Sequence, residues 1–453
     1  MPGGKLLAVL LLALLATPSA RADVIMDRDV PYGPDVALFS DGMILQRELP
    51  VPVFGRADVG EQVTVTFNGQ QKTDTTAADG TWRVDLDPMA AGGPFTMTVE
   101  GNNTIVINDV RVGEVWIASG QSNMTLHRVK KSVLETNPTI RTLRNRNWND
   151  KPGSVPYTFA ERLQTSLGVP VGILNLATGG TNVLMWLGES AMTDPDPEVP
   201  PYLIADWGYY YQKLVKPLQP FRFRGVIWWQ GEADYKRPQR HRTLFPAAIR
   251  SWRNEWGFGD FPWISVQTPT GRGLKVGETP EALPTNPSAE DSSAFMRHTY
   301  LRSLEQFPAT SVVTSLDLEG GIHPVDPESY AERLADQALA LVYGQNVAYS
   351  GPLYSSMSIE GSSIRIRYRA GTADGLVAQG GPLHGFAISG DGVNWFWADA
   401  AIDGSEVLLS SASVPSPVAA RYAWGSHPTW ANLFNGAGLT AASFATDVTP
   451  GEF

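Results

Sequence analysis

Between Gly113 and about Gly344 the chain alternates short apolar, β-prone runs with longer helical segments, and this rhythm admits few folds. Residues 169–176, 225–229, 263–267 and 311–316 are expected strands, separated by expected helices such as 157–167 and 242–252. Strands joined through helices form a parallel sheet covered on both faces. Sheets of that kind bind ligands outside the carboxyl ends of their strands.

The flanks follow another period. At 51–55, 62–67, 82–86 and 95–99, β-prone runs are punctuated by Asn68-Gly69 and Asp79-Gly80, which predicts an antiparallel sandwich. From Val347 onward alternation returns, as in Ser363-Ile364-Arg365-Ile366-Arg367-Tyr368, without a convincing long helix. The expected division is therefore an N-terminal β domain at 23–110, an α/β domain at 111–345 and a C-terminal β domain at 346–453. The Pro-, Gly-, Thr- and Ser-rich stretch 268–293 exceeds ordinary loop length and has the composition of a rim or lid as much as of a floppy insertion.

Residues 1–22 read as an address. Lys5 precedes the apolar run 6–16, and Ala20-Arg21-Ala22 has the small-x-small pattern of a signal-peptidase site, so a secreted or periplasmic location is expected. The run is shorter than the ~20 residues that span a bilayer, so no membrane partner is expected. A net charge of −11 disfavours nucleic acid as a partner. With no cysteine, the chain has neither disulfides nor a thiol nucleophile. No His-x-x-x-His or His-Glu-x-x-His spacing occurs, so no metal and no other cofactor is expected.

Four segments fall at the expected carboxyl ends of the strands. They are Ser119-Gly120-Gln121-Ser122-Asn123-Met124, Ala177-Thr178-Gly179-Gly180-Thr181, Trp228-Trp229-Gln230-Gly231-Glu232-Ala233-Asp234, and Asp317-Leu318-Glu319-Gly320-Gly321-Ile322-His323-Pro324. In the first, a strand running into a tight turn and then a helix would expose the Ser122 hydroxyl. A serine hydroxyl is a poor nucleophile at neutral pH; acyl transfer needs an imidazole to take its proton and donors to hold the oxyanion. Ser122 would attack and His323 would act as base, then acid. The backbone N–H groups of Ser122 and Gly180, with the side-chain amide of Gln230, would hold the oxyanion.

These blocks resemble those of the sialate O-acetylesterase family in the SGNH hydrolase superfamily, and are similar also to carbohydrate esterases that deacetylate xylan. Met43-Ile44-Leu45-Gln46-Arg47, Val51-Pro52-Val53-Phe54-Gly55 and Ala420-Arg421-Tyr422-Ala423-Trp424 extend the resemblance to both flanks. The resemblance implies a three-layer α/β/α catalytic domain and a metal-free serine mechanism acting on O-acetylated sugars. It maps onto Ser122, Gly180, Gln230 and His323. Superfamily members often carry an aspartate three residues before the histidine, where this chain has Gly320. The orienting acid is expected to be Glu232, because related carbohydrate esterases use the glutamate of the Gln-Gly-Glu block; Asp317 and Glu319 are alternatives.

A sialate esterase, an esterase of plant-wall acetyl groups and a glycan-binding protein on the same fold all remain open. His127 is a candidate pocket residue. Trp186, Trp228 and Trp229 are expected in the core rather than stacked on sugar. Arg297-His298-Thr299-Tyr300 stands where Arg-Glu-x-Gln is common in the family.

Overall fold

The computed structural model describes residues 25–26, 38–126, 137–144, 148, 153–192, 207–268, 282–287, 292–318 and 320–447. The leader at 1–22, His127, Glu319 and most of the stretch 268–293 lie outside the described residues.

The strands that position the site are β1 (Ile44–Gln46), β2 (Gln62–Phe67), β3 (Gly92–Glu100), β4 (Thr104–Gly120), β5 (Ile140–Leu143), β6 (Val171–Asn175), β7 (Gly225–Trp229), β8 (Trp263–Val266) and β9 (Thr310–Val313). The helices are α1 (Ser154–Leu167), α2 (Pro238–Trp256), α3 (Ser292–Gln306) and α4 (Glu328–Leu341). Strands β5-β6-β4-β7-β8-β9 pair in parallel in that order. The chain leaves β4 towards β6 on one side and later returns to pair β7 on the other. The carboxyl end of β4 is thus the point where strand order reverses, the place where open α/β sheets form a crevice.

Alternation along the strands sorts side chains between two cores. Trp116, Ala118, Ile227 and Trp229 pack with α1 and α4, whereas Ile117, Val226, Trp228 and Trp263 pack with α2. Helices therefore cover both faces, and strands buried on both sides are apolar at nearly every position. Strand β5 escaped the sequence reading because it is four residues long and contains Arg141. That arginine is buried yet satisfied, donating to the carbonyls of Gly42 (2.6 Å) and Asp109 (2.8 Å) and to the Asp109 carboxylate (2.5 Å).

The expected boundary at 110/111 runs through the middle of a strand. Over residues 104–112, β4 pairs antiparallel with β3, which in turn pairs with β2; over 114–120 it pairs in parallel with β6 and β7. Between the two halves, β1 pairs in parallel with residues 111–113. Glu114 sits at this transition, fully buried. Its Oε1 accepts from Arg47 Nε (2.6 Å) and Arg224 Nη2 (3.0 Å); its Oε2 accepts from Gln46 Nε2 (3.1 Å), Arg224 Nε (2.9 Å) and the Tyr343 hydroxyl (2.9 Å). Burial alone pushes the carboxyl pKa up, but the Arg224 hydrogen bonds and charge, with Arg47 and Gln46, hold it below its ordinary value of 4.5.

Beyond residue 347 the elements are antiparallel strands, among them Tyr354–Glu360 with Ser363–Tyr368, and Phe386–Ser389 with Ala419–Tyr422. Buried Arg297 of α3 ties this region to the parallel sheet's layers, donating to the Ser443 hydroxyl (3.2 Å) and the Gly425 carbonyl.

Replacing Glu114 by alanine leaves Arg47 and Arg224 to the exposed Glu48, and the expected cost is about 3–5 kcal/mol at neutral pH by denaturant unfolding. A depressed carboxyl pKa stabilises the fold above pH 4.5 and loses that contribution as the pH falls through the folded-state value, so the difference between wild type and E114A shrinks in acid.

Candidate active site

Strand β4 ends at Gly120 with φ +119°, and a Cβ there would lie 2.1 Å from the Trp229 carbonyl oxygen. Only glycine lets β4 and β7 run this close at their carboxyl ends. The following Gln121 N–H donates to the same Trp229 carbonyl at 2.8 Å, and the Gln121 side-chain oxygen accepts from Gly231 and Ala233 N–H at 3.4 Å each. Residues Ser122–Met124 form one 3₁₀ turn instead of the expected helix. This turn lifts Ser122 to the sheet edge. Its Oγ lies 2.8 Å from His323 Nε2, joining residues 201 positions apart.

The glycine turn after β6 closes the other side. Thr178 N–H donates to the Gly120 carbonyl at 3.1 Å, and a Cβ on Gly179 would lie 3.6 Å from Ser122 Cβ. Gly180 has φ +73°, in the left-handed region. Among the described residues, no hydrogen bond occupies the backbone N–H of Ser122 or Gly180.

Gln230 is not placed as the sequence suggests. It is fully buried, and its amide donates to the Thr181 carbonyl (3.1 Å) and to Asp234 Oδ2 (2.6 Å). Both partners are acceptors, which fixes the amide orientation and engages both of its protons. Gln230 therefore pins the turn at Thr178–Thr181 against the end of β7 rather than presenting a donor to the cleft. Asp234, behind it, also accepts from Val183 N–H (2.9 Å) and stands 3.3 Å from His241 Nδ1. Burial raises its pKa, but His241, Gln230 and the Val183 N–H outweigh this and the carboxyl stays below its ordinary value. Tyr300, fully buried on α3, donates its hydroxyl to the Gln230 carbonyl. Gly231 must be glycine, since a Cβ there would lie 2.5 Å from that hydroxyl.

The candidate acids part company. Asp317 is bonded to Arg333 of α4 at 2.8 and 2.6 Å, a bidentate pair that ties the end of β9 to the helix. Glu232 lies in the cleft wall. Its Oε1 accepts from Asn123 Nδ2 (3.0 Å) and Trp229 Nε1 (2.9 Å), while its Oε2 is shut off from solvent with no hydrogen-bond partner among the described residues. Desolvation dominates the balance and raises the Glu232 pKa to about 7. The described hydrogen bonds join Glu232 to His323 at one remove, because Asn123 Nδ2 also donates to the carbonyl of Ile322 at 3.0 Å.

Trp186, Trp228 and Trp229 are fully buried, as expected of core residues. Asn123, Asp234, His241 and Tyr300 were missed as parts of this site. Asn123 and Asp234 lie inside recognisable blocks, but nothing in their spacing marks a hydrogen-bond partner; His241 and Tyr300 sit on helices and reach the site only through packing.

A family model described as "Carbohydrate esterase, sialic acid-specific acetylesterase" matches residues 112–321, which contain the parallel-paired part of β4, β5 to β9 and the first three of the four blocks. Human sialate O-acetylesterase (Homo sapiens) is 26% identical over 389 residues, covering 69% of this chain and 72% of the human protein. The mouse protein of the same name (Mus musculus) is 24% identical over 486 residues, covering 85% and 88%. The structure of a carbohydrate acetylesterase from Xanthomonas citri superposes with a TM-score of 0.78 at 30% identity, covering 91% of this chain and 99% of that one. Matched at 30% identity along almost the whole of that structure, the chain belongs to the carbohydrate acetylesterase family.

Proposed function

We propose that this protein is a carbohydrate O-acetylesterase that removes acetyl groups from sugar hydroxyls, sialic acid foremost, through a serine acyl-enzyme. The observation that carries this reading is the 2.8 Å contact between Ser122 Oγ and His323 Nε2 at the switch point of the parallel sheet. His323 takes the hydroxyl proton as Ser122 attacks the acetyl carbonyl; the tetrahedral intermediate collapses as the imidazolium returns that proton to the departing sugar oxygen. Water, deprotonated by the same imidazole, then releases acetate. The Ser122 and Gly180 N–H groups are the oxyanion donors in this reading, and Gln230 contributes by holding the glycine turn. Glu232 is the acid that supports the imidazolium, acting through Asn123. No step calls on a metal.

The sialate assignment follows the names of the mammalian relatives; acetylated xylan is the competing substrate of the same chemistry. The β regions on either side of the parallel sheet are read as flanking domains at 23–110 and 346–453. The segment 1–22 is read as a cleaved leader, so the exported protein begins at Asp23.

Replacing Ser122 by alanine should lower acetate release from O-acetylated sialic acid by at least about 10³-fold, close to the residual level of oxyanion-hole catalysis. Residual activity near wild type would sink the serine mechanism. Rates on acetylated xylan, measured in parallel, decide the substrate class. Chelators should leave turnover unchanged, and zinc-dependent recovery after chelation would refute the metal-free mechanism.

Glu232 sets a distinct pH signature. Between pH 4.5 and about 7 the folded carboxyl keeps a proton that the unfolded one has lost, so stability falls as the pH rises through this window. The full penalty, on the order of 2–3 kcal/mol, is present above about pH 7. E232Q should flatten this slope, gaining thermal stability over wild type at pH 8 but not below pH 4.5.

A further inference from the structure

His323 sits on a glycine-rich loop after β9 whose tip is exposed. Gly320 and Gly321 precede it, Gly321 has φ +98°, and Ile322, His323 and Val325 are exposed. A base on such a loop must be held within a fraction of an ångström of its nucleophile, since a displacement of about 1 Å can cost 10²-fold in rate. Asn123 is placed to supply that hold. It follows the nucleophile directly and is 4% exposed. One proton of its amide goes to the carbonyl of Ile322, the residue before His323, at 3.0 Å; the other goes to Glu232 Oε1 at 3.0 Å. Trp229 Nε1 donates to that same carboxylate oxygen at 2.9 Å, which fixes Glu232 from the end of β7.

We infer that Asn123 is a positioning residue that clamps the Ile322 carbonyl and thereby sets the His323 ring against Ser122, with Glu232 and Trp229 holding the Asn123 amide in register. The chain of contacts runs from the end of β7, through Glu232 and Asn123, to the loop after β9. Two acceptors, a carboxylate and a carbonyl, face this side chain, and an amide is the neutral group that offers two protons to satisfy both. Among the described hydrogen bonds, Glu232 reaches the His323 loop through Asn123. The inference rests on the serine-esterase reading above and adds to it how the base is held.

The test uses a fluorophosphonate probe, which reports the nucleophilicity of Ser122 without reference to any sugar, alongside turnover of an acetyl ester by the full chain. In N123A, labelling and kcat should each fall about 10–100-fold while KM changes less than about threefold. N123D keeps the side-chain volume but replaces the donating amide nitrogen with an accepting carboxylate oxygen, so it should be at least as slow as N123A and serves where N123A fails to fold. The double variant N123A/H323A should be labelled no more slowly than H323A alone, because a residue that acts through His323 has nothing left to position. Wild-type labelling rates in N123A or N123D, or a further drop in the double variant, would overturn the inference. Failure of the wild-type protein to be labelled at Ser122 would instead overturn the serine mechanism, so the two failures are separable.

Discussion

The close approach of β4 and β7 at Gly120 and Trp229 is the constraint on which the site depends. Two parallel strands are spaced by their hydrogen bonds; at the carboxyl end of β4, the left-handed backbone of Gly120 would point a Cβ at the Trp229 carbonyl, so only glycine fits. That close approach puts the Ser122 turn beside the Gln230-Gly231-Glu232 turn. It also lets Gln121 accept from the backbone of Gly231 and Ala233, so the two turns share hydrogen bonds. A larger residue at position 120 would pry Ser122 away from the Gln230-Gly231-Glu232 turn.

Buried polar groups do most of the positioning. Glu114 gathers Arg47, Arg224, Gln46 and Tyr343 at the place where β4 changes from antiparallel to parallel pairing, and so fixes where the parallel sheet begins. Asp234 gathers Gln230, Val183 and His241 at the other end of the sheet. Each is a buried carboxylate kept ionised by its donors, and removing either set of donors would leave a charge without a partner. Glu232 is the exception. One of its oxygens has no hydrogen-bond partner among the described residues, its pKa rises, and its other oxygen is bonded to Asn123, the residue after Ser122.

Much of the fold was legible because burial on both faces leaves a continuous apolar run. The strand at 225–229 was bounded as observed, and 169–176, 263–267 and 311–316 were found to within a few residues. Strand β5 was not, since four residues with a buried arginine show no period. The helix expected after Ser122 is a single turn, because the Met124 and Thr125 N–H groups bond back to Gln121 and Ser122 across one 3₁₀ loop. At the site, the blocks grouped Ser122 with His323, which the structure brings into contact, but the partners of the Gln230 amide were not legible there. An amide at a strand end looks the same in sequence whether its protons face the cleft or a buried aspartate.

Sequence alone determined the class of sheet, the carboxyl edge and the residue types gathered there, because these follow from apolar period and local turn chemistry. Tertiary structure decided which side chains touch. It brought His323 to Ser122 across 201 positions, turned Gln230 inward to Asp234, gave Asp317 to Arg333, and set Asn123 between Glu232 and the histidine loop. The reason is physical: a hydrogen bond depends on the placement of atoms to a few tenths of an ångström, and that placement is set by the packing of strands and helices distant in the chain rather than by neighbours along it.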